Sequence, residues 1–415
     1  MREKMLSYIE ENQQWLFDVL CEMININTEN DGAMGAESEL AAYMQRKYEA
    51  FGVPYALYTP DSVPGLVDHP DYLKGRNTDK RQNITACIKG DCTKGALMLA
   101  GHLDTVPIGD RTLWTTPPTT GTIRDKKIFG RGACDDKFAL AVELFLAKAF
   151  RDLGITPPCD LYLNGYVDEE FGGGNGALAA VLRDPCDFSI NMDSDHMDIV
   201  HCGVGGQRLA LILRHREVQD ACNDMIEAIH LTKQCIDRFG ARRVSELSQN
   251  PYFKETPIPQ KALRYMNVVT GLNTNDRHLG TVDFAFYTDR GREQIEAEYK
   301  TLFAEIDEVL APLHIFIDKI IWRSRFFNYA ASDKTHPQIK RLYNVTKKQT
   351  GKTPAVCGMC LSDLNLFIHH SNGNAVSFGV GRDFAQVGGA HQPDEFVDCE
   401  ELVRFVKVLA EFILE

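Results

Sequence analysis

The sequence predicts an α/β fold: a mixed, largely parallel central sheet flanked by helices, interrupted by an inserted α+β unit. Three observations carry that expectation. From Asn83 to Asp193, strand-like apolar runs alternate with helical segments, the rhythm of a sheet whose parallel strands are joined by crossover helices. Between about Gly205 and Ile321 the order of elements changes. The chain has 415 residues, 44% of them hydrophobic, enough for two domains with separate cores. The expected division is 1–204 with 322–415 for the sheet domain and 205–321 for the insert.

In chain order, the first segment is amphipathic, with Ile9, Leu16, Val19, Leu20 and Met23 set among acids, and lacks a signal-peptide core. Pro60 to Lys80, rich in Asp, Gly and Pro, predicts a surface excursion ahead of the sheet. Ala96 to Ala100 is a buried strand that runs into Gly101-His102-Leu103-Asp104. Period two puts His102 and Asp104 on one face at the strand's carboxyl end, where an open α/β sheet keeps its ligand site. Asp104 is then placed to accept the free ring N–H of His102 and fix its tautomer. Taken alone, a buried core histidine explains this stretch equally well.

Gly130 to Lys137 is a glycine-rich turn into the apolar helix Phe138 to Phe150, able to hold Asp135 at a helix N-terminus where the dipole favours negative charge. Strand Leu161 to Val167 leads into Asp168-Glu169-Glu170, three acids whose repulsion is costly unless cations or solvent screen it. A solvated acidic loop is the plainer reading of that cluster alone. Strand-like Asp187 to Met192 delivers Asp193. The insert reads as strand Gln207–Leu213, helix Val218–Arg238, strands Tyr265–Thr270 and Val282–Tyr287, helix Glu293–Leu310 and strand Leu313–Ile321, a βαββαβ, ferredoxin-like order. Strand-like Ala375 to Gly381 is followed by Ala390-His391-Gln392-Pro393-Asp394-Glu395.

Five metal-capable side chains, His102, Asp135, Glu170, Asp193 and His391, thus stand at the ends of apolar runs, with Glu169 beside the third. Together they read as a two-metal hydrolase site, since strand after strand ending in a hard or borderline ligand is a poor match to chance. The balance of 45 basic and 58 acidic residues, formal charge -13, argues against nucleic acid or an anionic membrane as partner. No apolar stretch is long enough to span a membrane. Twelve cysteines are scattered like free thiols of a reducing compartment, and the single Cys357-Gly358-Met359-Cys360 reads as structural. The expected location is cytoplasmic.

Four separated motifs, Gly101 to Pro107, Gly130 to Lys137, Asp168 to Glu170 and Ala390 to Glu395, resemble in spacing and order those of the co-catalytic zinc aminoacylase and carboxypeptidase family. That family includes acetylornithine deacetylase, succinyl-diaminopimelate desuccinylase, carboxypeptidase G and bacterial dipeptidases. The resemblance covers roughly residues 1–205 and 325–415 and implies a zinc-peptidase-like catalytic domain with a lid used for dimerisation. It implies that Asp135 bridges two divalent metals, that His102 and Asp193 complete one, and that Glu170 and His391 complete the other. Glu169 would be the general base, Asp104 would support catalysis, and the Asp135–Asp136 peptide bond would be cis.

The implied reaction is hydrolysis of an amide in a small N-acyl amino acid or dipeptide by a metal-activated water, with Glu169 moving the proton to the departing amine. Zinc is preferred on ligand type, with cobalt or manganese as alternatives. Arg290 resembles the lid arginine that binds the substrate carboxylate, and Asn275 stands one residue out of register with a substrate-contacting asparagine. One departure stands out: Arg214 to Asp220 is short and lacks the lid histidine that reaches an oxyanion, leaving His215 either as a substitute or, equally, as a solvated side chain. That departure motivates a second reading, a non-catalytic relative that binds an amino-acid derivative or a partner protein in the same cleft.

Overall fold

The computed structural model describes the whole chain except residues 92, 94, 217–220 and 274–276. The chain forms two compact units, residues 1–201, 331–357 and 366–415 in one and residues 202–330 and 358–365 in the other. The second unit therefore also takes 202–204, 322–330 and 358–365, which were expected with the sheet domain.

In the larger sheet the strands lie in the order Tyr55–Tyr58, Asn83–Ile88, Asp160–Tyr166, Ala96–His102, Phe188–Asn191, Ala375–Ser377 and Ile199–Gly203. The inner four are parallel and the outer pairings antiparallel, the mixed, largely parallel sheet that was expected. Leu97, Leu99, Leu161, Leu163 and Ile190 are fully or almost fully buried because helices enclose the sheet. Helix Lys137–Leu153 is buried on nearly every side, which is why its sequence shows no polar stripe. It ends at Gly154, whose φ of 61° is the left-handed cap that glycine takes without steric cost. Helix Cys399–Leu414 starts at Asp398, which accepts the backbone N–H groups of Glu400 and Glu401.

Register decides where the ligands fall. His102 stands opposite Tyr166, so Asp168 to Glu170 leave the sheet just beyond it. Ala100 stands opposite Asn191, so Asp193 emerges level with His102 on the neighbouring strand.

The segment expected as a surface excursion is mostly exposed, as expected, but it is pinned to the unit at a few points. Leu66, Leu73 and Thr78 are buried, and Asn175 both donates to the Leu73 carbonyl and accepts the Leu73 N–H, at 2.9 and 2.8 Å. Its turns need Asp, Gly and Pro for backbone geometry, and that composition hid the few apolar anchors.

The second unit is a four-stranded antiparallel sheet in the order Leu263–Leu272, His278–Thr288, Gly205–His215, Ile315–Trp322. Helices Cys222–Leu247 and Arg292–Leu310 complete the ferredoxin-like βαββαβ order. Val282, Phe284 and Phe286 face the core with Leu209, Leu211, Phe239 and Tyr299. The first helix outruns its expected end because Arg243, polar in sequence, is buried and ion-paired to Glu246 and Glu298. Among the described residues no helix is long and apolar enough to cross a membrane, and Cys357 and Cys360 are not joined in a disulfide.

Candidate active site

Four of the five expected ligands converge at the carboxyl ends of the parallel strands. His102 closes its strand, Asp135 sits in the turn before helix Lys137–Leu153, Glu170 follows Asp160–Tyr166, and His391 lies in the loop after Ala375–Ser377. The Asp135–Asp136 bond is cis. Asp168 and His391 both have positive φ, 68° and 65°, the backbone outliers that cluster at functional sites.

The ligand atoms of His102, Asp135 and Glu170 all lie within 4.8 Å of one another. The Asp135 carboxylate is divided between the two imidazoles: Oδ1 is 2.9 Å from His102 Nε2 and Oδ2 is 3.1 Å from His391 Nε2. His391 Nε2 is also 2.9 Å from Glu170 Oε2. A carboxylate that turns one oxygen toward each of two separate imidazoles has the donor arrangement of a bridge between two cations.

The electrostatics agree. Burial alone would lower the His391 imidazole, but hydrogen bonds to Asp135 and Glu170 outweigh it and push its pKa up to about 11. His102 is likewise raised, against its burial, by Asp104 and Asp135. Burial works to raise Asp135, yet its hydrogen bonds to both imidazoles hold it well below the usual carboxylate range. The cluster therefore stabilises positive charge at its centre, as a metal-binding set must.

Behind the ligands, Asp104 is fully buried. Its Oδ1 accepts the Glu169 N–H at 3.0 Å, and its Oδ2 accepts the Glu170 N–H at 3.1 Å and the Asn30 amide at 2.9 Å. The ring Nδ1 of His102 meets the Asp104 backbone carbonyl at 2.9 Å, while the carboxylate stays at 3.6 Å. The tautomer is thus fixed by the main chain, and the carboxylate anchors the turn that carries Glu169 and Glu170. Glu170 is steered further by the Val106 N–H, 3.1 Å from its Oε1.

A second layer, absent from the sequence reading, locks this turn. Asp168 is gripped by both ends of the Arg76 fork, with Arg81 Nη1 at 3.0 Å and Asn30 at 3.1 Å, and Arg81 also pairs with Glu37. On the other flank Arg131 pairs with Glu395 at 2.6 Å, and Glu395 accepts the Cys134 N–H at 3.0 Å beside Asp135. Lys137 Nζ donates to the Met23 and Ile26 carbonyls at 3.2 and 2.7 Å, closing the end of helix Arg2–Ile24 over the same turn. Arg76→Ala is expected to destabilise the protein by about 1–3 kcal/mol, the loss of a charged hydrogen-bond pair at a carboxylate that keeps Arg81 and Asn30. Arg76→Lys should not restore it, because a point charge cannot span both Asp168 oxygens. Thermal unfolding of both variants checks this.

The remaining expected residues fare differently. Asp193 emerges level with His102, and its charge bears on the buried Asp136, whose Oδ2 lies 3.2 Å from the His102 N–H. Asn275 lies outside the described residues, as does 217–220 of the lid loop. His215 is buried, 3.9 Å from Asp224 and close to the His314 ring, rather than presented on a loop. The Arg290 fork is engaged within the lid by Glu246 at 2.6 Å and Glu298 at 3.0 Å. Arg290→Ala is accordingly expected to lower lid stability by about 1 kcal/mol or less, as exposed pairs do, and to change KM for a carboxylated substrate less than about threefold. Steady-state kinetics decides, and a large KM rise would mean that the fork leaves its two acids for substrate.

Three similarities bear on this geometry. An uncharacterized metallohydrolase of Methanocaldococcus jannaschii is 25% identical over 94% of this chain and 97% of its own length. Acetylornithine deacetylase of Photorhabdus laumondii is 28% identical over 77% of this chain and 79% of that protein. The di-peptidase Dug1p from Saccharomyces cerevisiae shares the fold, with a TM-score of 0.76 at 15% identity over 100% of this chain and 98% of that one. With residues 98–415 matching Peptidase family M20/M25/M40, the chain belongs to that family of metal-dependent hydrolases.

Proposed function

We propose that the protein is a dinuclear metal hydrolase that cleaves the amide bond of a small N-acyl amino acid or dipeptide. The observation that carries this reading is the Asp135 carboxylate shared between His102 and His391, with Glu170 closing the cluster and Glu169 next to it in the chain. Two cations bound there, with Asp193 as the further ligand, would polarise the scissile carbonyl and make a water acidic enough to attack near neutral pH. Zinc suits the imidazole and carboxylate donors best, with cobalt or manganese as alternatives.

The chain's own residues supply the rest. Glu169 accepts the proton of the attacking water and hands it to the departing nitrogen. Asp104 holds the Glu169 and Glu170 amides, so base and ligand keep a fixed spacing. The His102 contact to the Asp104 carbonyl leaves Nε2 as the ligating nitrogen. Two further features follow as proposals: a homodimer through the lid, where edge strand Leu263–Leu272 exposes Val268, Val269 and Leu272, and a reducing, cytoplasmic setting suited to the free thiols.

The engaged Arg290 and the buried His215 favour the rival reading, a non-catalytic relative that binds an amino-acid derivative or a partner protein. Metal content by elemental mass spectrometry, followed by hydrolysis of a panel of N-acyl amino acids and dipeptides, separates the two. About two ions per chain with turnover supports the enzyme, and two ions without turnover on any substrate supports the rival. Chelation is expected to abolish turnover and lower the thermal midpoint, because a ligand at about 1,000 times its Kd contributes about 4 kcal/mol. Scanning calorimetry with and without added zinc measures that shift, and an unchanged midpoint would count against a resident metal.

A further inference from the structure

The parallel strands that end at the metal cluster begin at a second concavity. A cavity of about 250 Å³ is lined by Ala96 and Phe188, the first residues of two of these strands, and by Asn374, just before a third. Its walls come from Arg341 on helix Pro337–Thr350 and Phe412 on helix Cys399–Leu414.

Arg341 differs from the fully buried arginines of this protein and, like Arg382, has a buried Nε without a hydrogen-bond partner. Arg81, Arg131 and Arg243 are buried, and each meets a carboxylate. Arg341 is half-buried with its guanidinium carbon 4.2 Å from the Phe412 ring centroid, its Nε shut off from solvent without a hydrogen-bond partner, and no ion pair among the described residues. Burial pulls its pKa down, opposed by the Cys159 thiol and the charge of Glu415, neither of which forms an ion pair with it among the described residues. A partly desolvated cation with no carboxylate in ion-pair contact is costly, and buried charges are as a rule paired.

The other lining groups complete an anion site. The His336 ring stacks on Phe188 at 7°, and its Nδ1 accepts the Gln338 N–H at 3.3 Å, which makes Nε2 the ring's donor. The one carboxylate in the lining, Asp187, accepts the Ala96 N–H at 2.8 Å.

We infer that this cavity binds a small organic anion of about amino-acid size, its carboxylate or phosphate group on the Arg341 guanidinium and its remainder against Phe188, His336 and Phe412. A guanidinium fork suits either group. The site is on the far side of the sheet edge from the metal ligands, so its occupancy is independent of whether amide hydrolysis is the protein's reaction.

The test is a titration of the metal-loaded protein with acetate, succinate, glutamate, inorganic phosphate and glycerol phosphate, at constant ionic strength set with sodium chloride. Thermal midpoint and calorimetric heat are read in parallel for the native protein and Arg341→Gln. One class is expected to raise the native midpoint saturably, at micromolar to low millimolar concentration, with affinity reduced at least about tenfold in the variant. Response to the carboxylates alone or to the phosphates alone identifies the ligand group. Arg341→Gln without added anion is expected to melt no lower than the native protein, because it removes an unpaired charge. If it fails to fold, Arg341→Lys, which keeps the charge and loses the fork, takes its place. A midpoint that follows only ionic strength, or equal affinity in native and variant proteins, overturns the proposal.

Discussion

Glu169→Gln is expected to lower turnover by about 10²–10⁴-fold, the usual contribution of a general acid–base group, while both metal ions stay bound. The substitution keeps the side chain's size and its backbone N–H to Asp104, and removes only the capacity to take a proton. Metal retention follows because the cluster is built from His102, Asp135, Glu170 and His391. Steady-state hydrolysis paired with elemental mass spectrometry reads both quantities on one sample. Unchanged behaviour in both would sink the assignment of Glu169 as base and move weight to the binding-protein reading. Loss of metal with loss of turnover would mean instead that Glu169 is a ligand.

Of the four converging metal-capable residues, His102 and Glu170 were legible because each follows an apolar strand, and in a parallel sheet the ends of such strands share one edge, whereas Asp135 and His391 sit in turns and were carried by the motif resemblance. The supporting shell was not legible. Asn30, Arg76 and Arg81 come from segments with no periodicity, and nothing local marks them as partners of Asp104 and Asp168. They could have been suspected only by asking what neutralises Asp168 once Glu170 is given to a metal. Asp104 shows a subtler limit. Period two put its side chain beside the His102 ring, but the chain leaves the sheet after His102, with Thr105 N–H turning to the Thr28 carbonyl. That turn brings the Asp104 carbonyl, not the carboxylate, to the ring. The lid's ferredoxin-like order was readable from its alternating and helical patterns, whereas the pairing of Arg290 with two helix-borne acids depends on tertiary packing alone.

Asp104→Asn is the second substitution expected to have a large effect, of a different kind. The native carboxylate presents only acceptors to three N–H groups, from Glu169, Glu170 and Asn30. An amide in the same place offers one oxygen and turns an NH2 group toward the remaining donors, which strands at least one buried N–H at about 1–3 kcal/mol. The turn carrying base and ligand should loosen, weakening metal affinity about 10–100-fold, as loss of outer-shell support does. Zinc competition against a chromogenic chelator measures that affinity, and kcat at saturating zinc measures what persists once the metals are restored. The two variants together separate proton transfer from positioning. Glu169→Gln should fail at any zinc concentration, whereas Asp104→Asn should recover part of its turnover as zinc rises. If excess zinc rescues neither variant, Asp104 acts on the reaction itself; if zinc binding by Asp104→Asn is native, its three hydrogen bonds do not hold the site.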